Sequence, residues 1–466
     1  MMGRIKNILR FLFLSFLILK GIQIGFGQND TGRVRYGQGL TEYGSDKPAH
    51  TIYTNPGEDC STTMNISWAT PPGTKWMIEL TDETDGGTFV YEYDETLLDG
   101  AEDSEEGEPN QFPYLYRCDT FDDIPSVLSD RTKVTEKHIF DKHGYELYDL
   151  EPDKLYSYRI VTINDSTGEE EYSGTYRFRT AGADSWKAAV IGDFHHYSPL
   201  WKRLDAAMDM VEVLDSVAGG VDWVLSTGDQ CAYGGSFNFW TELSEQPQFM
   251  DFMWASVQGN HDNMTSNSKT SDNFFRDSHF FPNNGYEGQE GLAYWFKYGD
   301  VLFIMLNNEA MHTSAGLEPA LEWMEQVVAD NPSKYIVVVE HYQWILDKED
   351  SPNNQMARFY EVFDRLGVDL ALSGHNHAYR RTFPLREMEE VEPREGTYYV
   401  VNSSSDNERG RDLPRAYADN LIEKRWTEGT RTVGGMIMDV NPERIEMTLY
   451  DRYGNAKDSF VVPAKR

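Results

Sequence analysis

The chain has 466 residues, more than one ordinary core accommodates, so two domains plus appendages are expected. Hydrophobic residues make up 39% and charged residues 26%, with 38 glycines and 19 prolines, which argues against collagen-like, coiled-coil and largely disordered chains. The net charge of −35 repels phosphate backbones, so general nucleic-acid binding through a basic face is not expected, and an anion would need a local cationic site, for which bound metal is the natural source.

Residues 1–27 read as an export signal. Arg4, Lys6 and Arg10 form a basic start, 11–19 (FLFLSFLIL) an apolar core, and Gly25-Phe26-Gly27 supplies small residues before Gln28. Lys20 interrupts the apolar run, and no other segment approaches spanning length. The mature chain is therefore expected to be secreted or periplasmic, without a membrane span. Three cysteines, Cys60, Cys118 and Cys231, do not make a disulfide scaffold. Cys60 and Cys118 either pair within one domain or stand as separate thiols.

Residues 46–181 read as an all-β domain. Alternating apolar and polar residues predict strands at 64–68, 155–160 and 176–180. The run 150–156 (LEPDKLY) has the form of a tyrosine corner, in which the Tyr156 hydroxyl pins the preceding turn. Segment 91–108 is too acidic for a core strand and reads as an inserted loop, either solvated or calcium-binding. A composition shift at 181–184 (AGAD) marks the boundary, and a second domain is expected over 185–466.

That second part alternates strands and helices. Apolar runs at 188–191, 221–225, 301–306, 335–339 and 369–372 predict buried strands. Leu200, Leu204, Met208, Val211 and Leu214 fall on one helical face, a core stripe, and 317–330 and 355–366 have the same character. Late strands at 397–401, 434–440 and 444–450 imply a second sheet. The expected fold class is α/β, a two-sheet α/β sandwich preceded by an all-β sandwich.

Metal-ligating residue types follow several of these strands: Asp193 and His195 in GDFHH, Asp229 in TGDQ, Asn260 with His261 and Asp262 in GNHD, His341 in EHY, and His375 and His377 in GHNH. Strand C-termini converge on one edge of an α/β sheet, so these five loops can line a single crevice. Asp193, His195, Asp229, Asn260, His341, His375 and His377 exceed the four ligands of one tetrahedral ion, and suit two ions that share a bridging carboxylate. The mixed N/O set favours Zn, Fe or Mn over Ca or Mg.

The order GD-x-H, GD, GNHD, H and GHNH resembles the calcineurin-like metallophosphoesterases, and GHNHAYRR at 374–381 resembles the purple acid phosphatase subgroup. The resemblance implies the metallophosphoesterase fold behind a fibronectin type III-like sandwich. It implies one metal on Asp193, His195, Asp229 and His377. A second would lie on Asp229, Asn260, His341 and His375, with Asp229 bridging. His261 would stabilise charge beside the phosphate or protonate the leaving oxygen. One position departs from the subgroup, which carries a Tyr ligand three residues after the second-motif Asp and Asp-x-Gly at the first motif. Here those places hold Ala232, with Tyr233 one further on, and His195. His195 would fill the vacancy, so no tyrosinate–iron colour is expected. His196, Tyr342 and Tyr379 are candidates for the substrate pocket.

The reading that follows is an exported, dinuclear metal-dependent phosphoric ester hydrolase of the acid phosphatase type. It would cleave small phosphate monoesters by in-line attack of a metal-bound hydroxide. A phosphodiesterase or nucleotidase on the same ligands is the alternative within enzymes. A decayed surface binding protein is the alternative outside them.

Overall fold

The structure, a computed structural model, describes residues 48–71, 74–92, 114–119, 137–164, 166–182, 185–197, 202–234, 237–263, 274–312, 314–344, 355–411 and 419–465. The export segment 1–27 and most of the acidic insertion lie outside these residues. The first residues of that insertion differ from expectation: Tyr91 and Glu92 close a strand, Thr88–Glu92.

Strands up to Arg179 form two antiparallel sheets. One runs His50–Pro56, Met64–Thr70, Lys137–Leu147, Tyr114–Asp119. The other is built on Lys75–Asp82 and Leu155–Ile163. The alternating burial of Lys75–Asp82 is what one packed face and one wet face produce. The tyrosine corner is present, with the Glu151 amide donating to the Tyr156 hydroxyl at 3.0 Å. Cys60 carries a free, buried thiol.

From Trp186 onward two larger sheets face each other. In the first, Met253–Ser256, Trp223–Ser226 and Trp186–Ile191 run parallel, and Gly434–Val440, Arg444–Asp451 and Ala456–Pro463 continue antiparallel. In the second, Val301–Met305, Tyr335–Val339, Leu370–Ser373 and Tyr398–Val401 are parallel neighbours. Tyr294–Tyr298 flanks them on one side, and Tyr379–Thr382 and Ile422–Trp426 on the other.

The continuous apolar runs are explained by burial on both faces. Val301, Phe303 and Met305 point into the core between the sheets. Leu302 and Ile304 point into a second core beneath helices Ser314–Asp330 and Gln355–Leu366. Helix Lys202–Ala218 buries Leu204, Ala207, Met208, Val211 and Leu214. It ends at Gly219 and Gly220, whose φ values of 70° and 115° suit residues without a Cβ.

The β-sandwich is joined to the α/β part by buried hydrogen bonds. The Asn55 side chain donates to the Trp254 carbonyl at 3.0 Å and accepts from the Phe280 amide at 2.9 Å. Ser67 donates to the Ser278 carbonyl at 2.8 Å, and Thr51 meets Thr241 at 2.7 Å. One hydrophobic cluster runs through both parts.

Candidate metal centre

Asp193 and His195 leave the end of Trp186–Ile191, Asp229 the end of Trp223–Ser226 and Asn260 the end of Met253–Ser256. His341 leaves Tyr335–Val339, and His375 and His377 leave Leu370–Ser373. The first three strands are neighbours in one sheet and the last two in the other, so the loops meet where the C-terminal edges of both sheets adjoin. Ligand atoms of Asp193, His195, Asp229 and His377 all lie within 4.8 Å of one another, and so do those of Asp229, His341 and His375. Asp229 belongs to both groups. Its Oδ2 is 3.1 Å from His195 Nε2 and 3.3 Å from His341 Nε2. Asn260 Oδ1 lies 3.2 Å from His341 Nε2, which places the amide oxygen in the second group.

The backbone is strained where these residues sit. Asp193, His195, Asp229, His375 and His377 have φ of 52°, 44°, 54°, 69° and 55°, in the left-handed region that a side chain disfavours. Tight packing sustains it, and two glycines make room. A Cβ on Gly259 would stand 2.2 Å from Asp229 Oδ1, and one on Gly374 would stand 2.5 Å from Asp193 Oδ2. That is the reason for a glycine just before Asn260 and just before His375.

Backbone carbonyls orient three of the imidazoles. His195 Nδ1 donates to Asp193 O at 2.9 Å, His341 Nδ1 to Thr227 O at 2.9 Å, and His377 Nδ1 to Arg409 O at 2.7 Å. A carbonyl only accepts, so each ring carries a proton on Nδ1 and turns Nε2 toward the cluster. His375 is set differently, with Nδ1 3.2 Å from His341 Nε2. Asn308 braces the His341 loop. Its Oδ1 accepts from the amides of His341 at 2.8 Å and Tyr342 at 2.9 Å, and its Nδ2 donates to the buried Glu340 carboxylate. An Asn308→Ala chain leaves these buried groups without partners, and a loss of metal affinity of about 10- to 100-fold is expected in competition titrations.

Burial and crowding redistribute protons among these groups. Burial pushes the Asp193 carboxyl up to about 8. Burial also acts to raise Asp229, but His341 and His195 hold it well below the ordinary carboxylate range. Burial works against charge on His341, and the adjacent Asp229 outweighs it, pushing the imidazole up to about 10. A divalent cation would supply positive charge directly, holding the carboxylates ionised and the imidazoles neutral. The donor set fits such an ion: buried, mixed N/O, with lone pairs converging.

Other candidates separate clearly. His261 lies beside the cluster, its ring centroid 4.8 Å from that of His195, and its Nδ1 donates to Ala232 O at 2.8 Å. Asp262 is buried and accepts from the Cys231 and Gly259 amides, each at 2.9 Å, clamping two of the loops together. Tyr342 stays at the site, its ring 4.6 Å from that of His375 and its hydroxyl donating to Glu309 at 2.9 Å. His196 and Tyr379 are corrections. His196 is fully buried and meets Glu242 at 2.7 Å, and Tyr379 is fully buried with its hydroxyl on Asp458 at 2.8 Å, so neither is accessible to a substrate. Tyr233 meets Tyr197 edge to face.

Arg409 was not anticipated. It sits in the loop after Tyr398–Val401, which runs parallel to Leu370–Ser373 and so ends at the same edge. Its guanidinium nitrogens lie 3.3 and 3.4 Å from His261 Nε2. In the same loop, Ser404 donates to the Asp193 carbonyl at 2.8 Å, and the buried Asp406 lies 3.7 Å from His195 Nδ1. A polar run (402–409, NSSSDNER) just past a parallel strand was the available signal.

Residues 187–379 match the family model for calcineurin-like phosphoesterases. Two curated relatives, uncharacterized proteins of two Mycobacterium tuberculosis strains, are each 27% identical over 150 residues. That match spans 28% of this chain and 28% of each relative. Among solved structures, a purple acid phosphatase from yellow lupin seeds superposes with a TM-score of 0.66 at 15% identity, over 89% of this chain and 74% of that one. A structure of PhoD gives 0.54 at 12% identity, over 90% of both chains. At such identities the shared property is the fold.

Proposed function

We propose that this chain, which carries a calcineurin-like phosphoesterase domain over residues 187–379, is an exported phosphatase that hydrolyses small phosphate monoesters at a pair of transition-metal ions. One observation carries the reading: Asp229 Oδ2 is shared between His195 and His341, at 3.1 and 3.3 Å, so that two ligand groups meet on one carboxylate. Asp193, His195, Asp229 and His377 would hold one ion, and Asp229, Asn260, His341 and His375 the other. Zn, Fe or Mn bound there supplies Lewis-acid charge for phosphoryl oxygens and an activated water at neutral pH.

The chain's own residues supply the rest. The loops of both sheets hold the ligands rigidly. Arg409 presents planar N–H donors that match a phosphoryl group. His261 has its Nδ1 proton committed to Ala232 O, so Nε2 faces Arg409 as an acceptor. In this tautomer His261 has no Nε2 proton for either of the two roles open to it, and the contact supports instead the alignment of Arg409, whose guanidinium carries the positive charge.

The first test is metal analysis of the purified mature chain alongside hydrolysis of p-nitrophenyl phosphate and bis-p-nitrophenyl phosphate. About two ions per chain and preference for the monoester are expected. Preference for the diester would move the assignment to a phosphodiesterase, and absence of both metal and activity after Zn, Mn and Fe addition would end the enzyme reading. Metal uptake by a chelator-stripped chain is expected to release protons. Without metal, Asp193 is raised to about 8 and His341 to about 10, and both must give up a proton to ligate. Affinity should therefore rise with pH through the neutral range, and a flat or falling profile in competition titrations would contradict this. Export is tested by N-terminal sequencing of the secreted chain, with Gln28 expected first and an intact Met1 counting against it.

A further inference from the structure

The rim of the candidate metal centre carries charge of both signs. Arg409 stands by the ligand group of His195 and His377, through His261 and its own carbonyl. A carboxylate that the proposed reaction does not use, Glu309, stands by the group of His341 and His375. It sits in the short turn Asn308–Met311, next to the Asn308 that braces the His341 loop. Two ligand loops hold it in place. Tyr342 donates its hydroxyl to Oε1 at 2.9 Å, and the Asn263 amide donates to Oε2 at 3.2 Å. The Tyr342 ring in turn lies 4.6 Å from the His375 ring, so one aromatic ring separates the carboxylate from a candidate ligand. This part of the rim is open to solvent: Asn263 is exposed, Tyr342 and His375 are half-buried, and the Glu309 side chain keeps 20% of its surface.

Two neutral hydrogen bonds leave a carboxylate its charge and part of its acceptor capacity. Among the described residues Glu309 pairs with no lysine or arginine, and its one ionisable partner is the exposed His312, Nε2 at 3.7 Å. Fixed negative charge beside a centre that takes up phosphate repels any second anionic group on the substrate and attracts a cationic one. The net charge of −35 acts in the same direction over longer range. We infer that this centre selects, among small phosphate monoesters, those whose alcohol carries an ammonium group, with Glu309 as the specificity-determining residue; the inference rests on the phosphatase reading above. Water and such an ester give an amino alcohol and inorganic phosphate.

The test compares three esters of similar size on the metal-loaded chain at about pH 8, where a free imidazole is neutral: O-phosphoethanolamine, propyl phosphate and 2-phosphoglycolate. Their kcat/KM values are expected to fall in that order, by about tenfold from first to last. Glu309→Gln keeps an acceptor for the Tyr342 hydroxyl and removes the charge. In that variant the ratio of ammonium ester to carboxylate ester should shrink by about fivefold or more, a change in charge preference that loosened packing alone would not produce. Calorimetry with the matched phosphonates, 3-aminopropylphosphonate and 3-phosphonopropionate, reads the same preference without turnover, and in the wild-type chain needs no variant to fold. A phosphonate ratio below about twofold in the wild type, or an ester ratio unchanged in Glu309→Gln, overturns the assignment. If the wild-type chain hydrolyses p-nitrophenyl phosphate but fails these comparisons, the specificity alone falls. If it does not hydrolyse p-nitrophenyl phosphate at all, the phosphatase reading falls and takes the specificity with it.

Discussion

An Asp229→Ala chain is expected to purify folded, with metal content strongly reduced at both positions and kcat/KM on p-nitrophenyl phosphate lowered by about three orders of magnitude or more, some 4 kcal/mol of transition-state stabilisation. The reason is local. Asp229 Oδ2 is the only ligand atom close to both His195 Nε2 and His341 Nε2 among the described residues, so its loss weakens two sites rather than one. Its Oδ1 also accepts from the His261 amide at 2.8 Å, so the turn carrying Asn260 loosens as well. Asp193→Ala is the comparison. Asp193 lies in one ligand group, and that variant should give up one ion and retain the other. Two ions retained by the Asp229 variant, or more than about a tenth of the activity, would remove the shared-carboxylate reading.

What the sequence disclosed follows from physics that is local along the chain. Tyr335–Val339 reads as a strand because both its faces are buried, so five consecutive apolar residues appear with no polar break. The candidate ligands stand out in the sequence because each follows such a strand, and a glycine stands where the neighbouring loop comes within van der Waals distance. The failures are the places where a distant residue decides. His195 and His196 are adjacent and chemically identical, yet a φ of 44° turns the first to the cluster, while the second bridges to Cys231 and faces Glu242. Tyr379 lies two residues beyond His377, which suggested a pocket wall, but Asp458, far along the chain, takes its hydroxyl. Strand Tyr379–Thr382 carries two consecutive arginines, Arg380 and Arg381, which hide it from a search for apolar runs. Both are buried, and Arg381 pairs with Asp458 and Glu423 and covers the Phe460 ring at 4.5 Å. Glu242 comes from helix Phe237–Ser244, while Asp458, Glu423 and Phe460 come from the last strands, where periodicity carries no record of what they meet.

Arg409 tests whether that blind region contributes to chemistry. Arg409→Met is expected to lower kcat/KM by about 10²- to 10³-fold, or ~3–4 kcal/mol, the cost of removing one preorganised donor aimed at developing charge. Most of the loss should fall on kcat if the guanidinium engages the transferring phosphoryl group more strongly than the ground state, and on KM if it only binds substrate. Arg409→Lys should recover a minor part, because an ammonium does not reproduce the planar pair of N–H groups that now faces His261 Nε2 at 3.3 and 3.4 Å. Metal content should be unchanged in both variants. The link from Arg409 to the metal cluster is its backbone carbonyl, which accepts from His377 Nδ1 at 2.7 Å and survives any side-chain replacement. That separation makes the result decisive. Activity within about threefold of wild type would place Arg409 outside the reaction, and a parallel loss of metal would reduce its role to shaping the His377 loop.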